Sequence, residues 1–326
     1  MIKLLQGNCL DVLPTLEDES IDCCITSPPY WGLRDYGVEG QLGMETTYQE
    51  YVDNLLTIFS EVRRVLKPKG TLWLNLGDSY SGSAKGLLAD GTQTAGKKQA
   101  TDKGSCTGNF KKAVTDLKPK DLIGIPWRVA FALQNAGWYL RQDIIWYKPN
   151  VMPESVTDRC TKSHEYIFLL SKSSKYYFDH EAIQEPCLTQ KRGREKNNGE
   201  SAVDTKKRGF GSHCGTKELR SRRSVWTVQT RPYVEAHFAT FPVDLIEPCV
   251  LAGCPKGGVV LDPFLGSGTT ALAARLNERS CVGIELNPKY LKIALKRVER
   301  GGRNSVNKKL IAAANMMNPI FNREAK

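Results

Sequence analysis

Residues 21–31 read Ile-Asp-Cys-Cys-Ile-Thr-Ser-Pro-Pro-Tyr-Trp. The apolar run from Ile21 to Ile25 suits a buried strand. Pro28 and Pro29 end it, because each lacks a backbone donor and fixes its own φ. The result is a stiff loop at a strand's C-terminal end, carrying a hydroxyl, a carbonyl freed from the ladder and two aromatic rings. In an open α/β sheet that edge is where ligands bind. Two readings stand open on these residues alone. One is a clamp for a flat polar substrate; the other is a proline turn that packs Tyr30 and Trp31 into the core.

The remaining pattern is α/β. Short apolar runs predict strands at residues 2–5, 71–76, 139–147, 166–170, 259–261 and 281–286. Gly7-Asn8-Cys9, with Asp11, turns into a short helix over 12–16. Tyr51, Leu55, Ile58, Phe59, Val62 and Leu66 recur at three and four, so residues 48–66 form an amphipathic helix. Further helices are predicted at 121–136, 269–276 and 290–299. Another opens at Phe241-Pro242, and Pro248 is expected to cut it short. The runs 139–147 and 166–170 follow one another without a helix, which suggests an antiparallel pair at one edge of a mostly parallel sheet.

Two stretches cannot build a core. Residues 77–120 are rich in Gly, Ser, Thr and Lys. Residues 188–224 hold eleven Lys or Arg against four acids. That second stretch is either a solvated loop or an arm that contacts phosphates. The whole chain carries 46 Lys and Arg against 35 Asp and Glu, a net charge of +11, which favours a polyanionic partner. No apolar run is long enough for a membrane span. The N-terminus lacks the apolar core and cleavage site of a signal peptide. Ten cysteines without a CxxC pair read as reduced thiols in a cytoplasmic protein, with no metal site.

A second candidate site lies near the C-terminus. A strand at 259–261 runs into Asp262-Pro263-Phe264-Leu265-Gly266-Ser267-Gly268-Thr269-Thr270, then a helix, then a strand ending at Glu285-Leu286-Asn287. Gly266 and Gly268 allow a tight turn and close approach of a ligand. The helix N-terminus offers free amides to an anion. An acid placed like Glu285 accepts from a ribose diol. Two glycines in place of the dinucleotide GxGxxG suit one nucleoside with a small charged group. The plainer reading is a tight βα turn.

Together, Thr26-Ser27-Pro28-Pro29-Tyr30 and Asp262-Pro263-Phe264-x-Gly266-x-Gly268-Thr269-Thr270 resemble the amino-group DNA methyltransferases that use S-adenosylmethionine. The catalytic stretch precedes the cofactor loop, with a large insert between them, as in the beta class. The resemblance covers nearly the whole chain. It implies a circularly permuted, Rossmann-like class I methyltransferase fold, with a mostly parallel seven-stranded sheet, helices on both faces and an antiparallel edge. Residues 1–76 and 121–182 would form the catalytic half, 226–300 the cofactor half, 77–120 a flexible insert, 183–225 a basic DNA-recognition insert and 301–326 a tail. The N-terminal strand would extend the cofactor half of the sheet.

The resemblance also implies roles. Ser27 and the Pro28 carbonyl would accept from the target amine, with Pro29 stiffening the loop and Tyr30 stacking on a flipped base. Asp11, Thr26, Ser27, His237, Phe238, Phe241, Pro242, Asp262, Pro263, Phe264, Gly266, Ser267, Gly268, Thr269, Thr270, Glu285, Leu286 and Asn287 would hold S-adenosyl-L-methionine, leaving S-adenosyl-L-homocysteine as product. Double-stranded DNA would meet Trp31, Arg34, Arg192, Arg194, Lys207, Arg208, Arg222 and Arg223. Ser before Pro-Pro tilts the target toward cytosine N4, with adenine N6 as the alternative. An RNA or protein-amide methyltransferase and a catalytically silent DNA-binding protein are remoter readings. Carbon-5 methylation needs a Pro-Cys loop, whereas this one is Pro-Pro-Tyr. A separate restriction endonuclease is an expected partner in a prokaryotic cell or phage system, and the protein would be a monomer or homodimer.

Overall fold

The computed structural model describes residues 1–81, 116–187, 218–230 and 240–301. An eight-stranded sheet organises them. Its strands are β1 (Ile2–Gln6), β2 (Ile21–Thr26), β3 (Leu66–Leu76), β4 (Tyr139–Tyr147), β5 (His164–Ser171), β8 (Val225–Thr227), β9 (Val259–Asp262) and β10 (Ser280–Glu285). They lie in the order β1-β10-β9-β2-β3-β5-β4-β8. Within this sheet β5 alone runs against the rest. The N-terminal strand β1 pairs with β10, and β2 pairs with β9 on the other side. The chain therefore enters its own sheet in permuted order.

Alternation along the strands explains the two buried faces. Cys24, Leu72, Leu74, Phe168 and Leu261 meet α2 (Tyr48–Val65) and α3 (Ile125–Asn135). Cys23, Ile25, Trp73, Ile167 and Val260 meet α4 (Val243–Gly253) and α5 (Thr269–Leu276). Thr47 starts α2 with a reciprocal capping box to Glu50. No described helix is long and apolar enough to cross a membrane.

The structure alters several expectations. The sheet has eight strands because Val225–Thr227 pairs in parallel with β4, outside the antiparallel strand. The short helix α1 begins earlier, at Cys9–Val12, and passes into a single 3-10 turn at Leu13–Thr15. Pro248 does not end α4, which continues to Gly253. A further helix, α6, covers 288–301 and is the last among the described residues. The predicted insert at 77–120 has ordered stems: Ser81 N–H donates to the Asp121 carbonyl at 2.8 Å, and Lys120 N–H to the Ser81 carbonyl at 2.9 Å. The basic insert is likewise framed by a small antiparallel pair, β6 (Glu185–Pro186) with β7 (Leu219–Arg220). Arg192, Arg194, Lys207, Arg208, His237 and Phe238 lie outside the described residues, as does most of the tail.

Candidate active site

The C-terminal ends of β1, β10, β9, β2, β3 and β4 lie along one edge of the sheet, together with the start of β5. Both loops singled out in the sequence sit there. They are tied directly: the Thr26 hydroxyl donates to Asp262 Oδ1 at 2.7 Å, across 236 residues. Thr26 and Asp262 are fully buried at the ends of neighbouring strands. The Phe264 amide also donates to Asp262 Oδ1, at 3.1 Å, which fixes the turn through Pro263.

Burial pushes the Asp262 carboxyl up to about 6, against the pull of the Thr26 and Thr270 hydroxyls and the Phe264 amide. The consequence for stability has a definite sign. Between pH 4 and 6 the folded protein keeps this proton while the unfolded chain has lost it. The group's contribution therefore falls as pH rises through that window, by about 3 kcal/mol in all. Asp262→Asn is expected to remove that slope and to raise stability at pH 7. Denaturant unfolding at pH 4 to 7 measures it, and parallel wild-type and variant profiles would refute the assignment.

The glycine loop is held from two sides. Glu285 Oε2 accepts from the Gly266 amide at 2.8 Å, and its Oε1 from the Asn287 amide at 2.7 Å. Burial raises the Glu285 carboxyl above the usual range, and those amides oppose the rise. From the other side, Arg297 of α6 donates to Ser267 Oγ at 2.7 Å and Thr269 Oγ1 at 2.8 Å. The two glycines differ in purpose. A Cβ on Gly266 would meet only the Phe264 carbonyl, at 3.9 Å, so its surface is open to a ligand. A Cβ on Gly268 would lie 2.8 Å from Ala294 Cβ, so that glycine lets α6 pack closely. Leu286 and Asn287 continue from β10 beside the loop. Asp11 lies exposed on α1, which follows the turn after β1; in that turn the Gly7 amide donates to the Glu285 carbonyl at 3.0 Å. Phe241 packs on the core beneath α4, and Pro242 is that helix's N-cap.

The proline loop carries a polar network. Tyr51 donates to the Pro29 carbonyl at 2.8 Å and braces the turn from α2. Ser27 Oγ lies 3.4 Å from the Tyr30 hydroxyl, which donates to Glu165 Oε2 at 2.7 Å. Asn75 Nδ2 reaches the same carboxylate oxygen at 3.3 Å and the Tyr166 carbonyl at 3.0 Å. Lys148 pairs with the other oxygen, Glu165 Oε1. The Tyr30 ring lies flush on Gly77, where a Cβ would come within 2.5 Å of it. Burial raises the Tyr30 hydroxyl well above its usual range, and the Glu165 charge adds to that. Sequence reasoning passed over Asn75, Lys148 and Glu165.

Trp31 requires a correction. It is 3% exposed, its Nε1 donates to the Glu45 carbonyl at 2.9 Å, and its ring meets Tyr48 edge-on. The ring belongs to the core and is not offered to a DNA surface. Arg34 hydrogen-bonds Tyr36, whose hydroxyl feels the Glu285 charge. Arg222 stacks 4.7 Å over Trp226, and Arg223 pairs with Glu185 at 2.6 Å. Burial raises the Cys23 and Cys24 thiols well above their usual range, so neither is a ready thiolate.

A family model described as DNA methylase, of the N6/N4 group, matches residues 21–296. The Type II methyltransferase M.Cfr9I of Citrobacter freundii is 47% identical over 311 residues, covering 95% of this chain and 91% of that protein. M.SmaI of Serratia marcescens, also a Type II methyltransferase, is 48% identical over 298 residues, 91% of each. Among solved structures, the cytosine-N4-specific PvuII DNA methyltransferase superposes with a TM-score of 0.59 at 18% identity, covering 93% of this chain and 92% of that one. A Thermus thermophilus protein in complex with S-adenosyl-L-methionine gives 0.56 at 24% identity, covering 93% and 96%.

Proposed function

This chain belongs to the N6/N4 DNA methylase family, and on that premise we propose that it moves a methyl group from S-adenosylmethionine to the N4 amine of a cytosine flipped out of duplex DNA. The family membership makes it a DNA methyltransferase acting on cytosine N4 or adenine N6. One observation carries the shared site, whichever base it takes: the Thr26–Asp262 hydrogen bond joins the Ser-Pro-Pro-Tyr loop to the glycine loop at adjacent strand ends. A base held by the first would meet a methyl donor held by the second.

The residues suit the cofactor. Gly266 leaves room that a Cβ would fill, and the carboxylate of Glu285 stands at the end of β10 for a ribose diol. Each Glu285 oxygen accepts one amide and keeps a second lone pair. The bound cofactor supplies a methyl group on a sulfonium. The protein's share is to hold the base in line and to localise its amine lone pair, which is otherwise spread into the ring. Ser27 Oγ and the Pro28 carbonyl accept from the two amine protons and favour a pyramidal nitrogen. Tyr30 stacks on the base; as the N–C bond forms, the donor's S–C bond breaks, and the amine then sheds one proton to water. No enzyme nucleophile takes part. Ser27 is the basis for preferring cytosine, since the hydroxyl precedes Pro-Pro.

Residues 183–225 are the proposed DNA-recognition segment, with Arg222 and Arg223 near its end. A separate restriction endonuclease of the same specificity would be its cellular counterpart. The test is incubation with labelled S-adenosylmethionine and mixed-sequence duplex DNA, followed by nucleoside analysis by mass. N4-methylcytosine is expected. N6-methyladenine would move the target to adenine, and no transfer with retained DNA binding would overturn the enzymatic reading.

A further inference from the structure

Beside the proline loop, four side chains from four elements converge with little access to solvent. Asn75 ends β3, Lys148 follows β4, Glu165 begins β5 and Tyr30 comes from the loop after β2. The Lys148 and Glu165 side chains are each only 16% exposed. Charges this sheltered are costly to keep unless paired. Here the pairing is complete: Glu165 Oε1 faces Lys148, and Oε2 accepts from both Tyr30 and Asn75.

The lysine is itself held in place. Its Nζ lies 4.1 Å over the Trp146 ring. Trp146 is locked in turn, because its Nε1 donates to the Val228 carbonyl at 2.8 Å. Lys162 and His164 also face this cluster; burial lowers both, and the Glu165 charge opposes that. Lys162 lies 3.8 Å from Asp78, whose Oδ1 accepts from the Gly124 and Ile125 amides at the start of α3. The carboxylate is thus fixed by several independent elements, and it fixes Tyr30.

We propose that Glu165, backed by Lys148, is a positioning residue for methyl transfer: it sets the Tyr30 hydroxyl and, through it, Ser27. This rests on the proposed roles of Ser27 and Tyr30, but not on which base is methylated. The Tyr30 ring has Gly77 against it, and its hydroxyl is anchored 2.7 Å from Glu165. A ring held at both places presents one orientation to a base. Ser27, 3.4 Å from the same hydroxyl, is oriented by it. Without the anchor the ring and the serine can each rotate. An in-line displacement loses rate steeply with such freedom, roughly 100-fold for a misplacement near 1 Å.

The experiment is a double-mutant cycle of Glu165→Gln and Tyr30→Phe, with labelled S-adenosylmethionine and duplex DNA. Each single variant is expected to lower kcat about 10- to 100-fold, with cofactor Kd and circular dichroism unchanged. The double variant is expected to be no worse than the poorer single, because both act on one shared bond: Tyr30→Phe removes its donor, and the single amide oxygen of Glu165→Gln cannot serve both Lys148 and Tyr30. Additive losses, or a normal kcat in Glu165→Gln, would overturn the proposal. If Glu165→Gln does not fold, Glu165→Asp carries the same cycle, since it keeps the charge but shortens the reach. The wild type separates the two layers. A wild type that methylates no DNA ends the functional reading, whereas an active wild type with an equally active Glu165→Gln ends only this inference.

Discussion

Tyr30→Ala is expected to abolish methyl transfer, lowering kcat/KM by about 10³- to 10⁴-fold while the fold and cofactor binding survive. Two losses combine. Stacking of a base on an aromatic ring contributes about 1–3 kcal/mol, and a mobile base loses roughly another 100-fold through poor alignment. The change also leaves Glu165 without its 2.7 Å donor, though Lys148 and Asn75 remain on the carboxylate. Replacing an aromatic ring by Ala costs about 3 kcal/mol of stability. The core of the sheet does not depend on Tyr30: Trp73, Tyr51, Phe59 and Phe168 are its largest fully buried side chains. Melting temperature should therefore fall without loss of cooperativity. Labelled methyl incorporation, thermal unfolding and cofactor calorimetry on one preparation check the three claims. Near-normal turnover would remove Tyr30 from the base site.

The sequence made some of this legible, for physical reasons. β2 was visible because an apolar run is closed by two prolines. The glycine loop was visible because strand, turn, helix and acid fall in one short stretch, so local spacing carries the geometry. The sheet order was not visible locally. It came from the resemblance, and the pairing of β1 with β10 bears it out. β8 went unseen because three residues after a run of arginines carry no periodicity. For Trp31 the sequence leaves a DNA contact and core packing both open, because an aromatic beside a polar loop looks the same whether it faces out or folds back onto Tyr48. The Glu165 cluster was invisible for another reason. Its contacts to Tyr30, Asn75 and Lys148 span 135, 90 and 17 residues. A charged residue at the start of a strand reads as solvated until its partners are known.

Glu285→Ala is expected to raise the cofactor Kd about 100-fold, with DNA binding unchanged. The carboxylate does two jobs at once. It offers lone pairs to a ribose diol, and its two oxygens hold the Gly266 and Asn287 amides at 2.8 and 2.7 Å. A hydrogen bond to a charged group contributes about 1.5–3 kcal/mol, and about 1.4 kcal/mol is a factor of ten in Kd. Loss of the direct contact alone thus predicts a rise of tenfold or more, and release of the glycine loop adds to it. Glu285→Gln separates the two jobs. Its amide oxygen can still take one backbone N–H, so part of the loop's order survives. Its NH₂ faces the other amide, so it cannot replace the second bond. An intermediate Kd for Glu285→Gln would show that both jobs matter. Equal losses in Gln and Ala would mean that the full carboxylate is required. An unchanged Kd in Glu285→Ala would remove the ribose role and leave Arg297, through Ser267 and Thr269, as the principal support of the glycine loop.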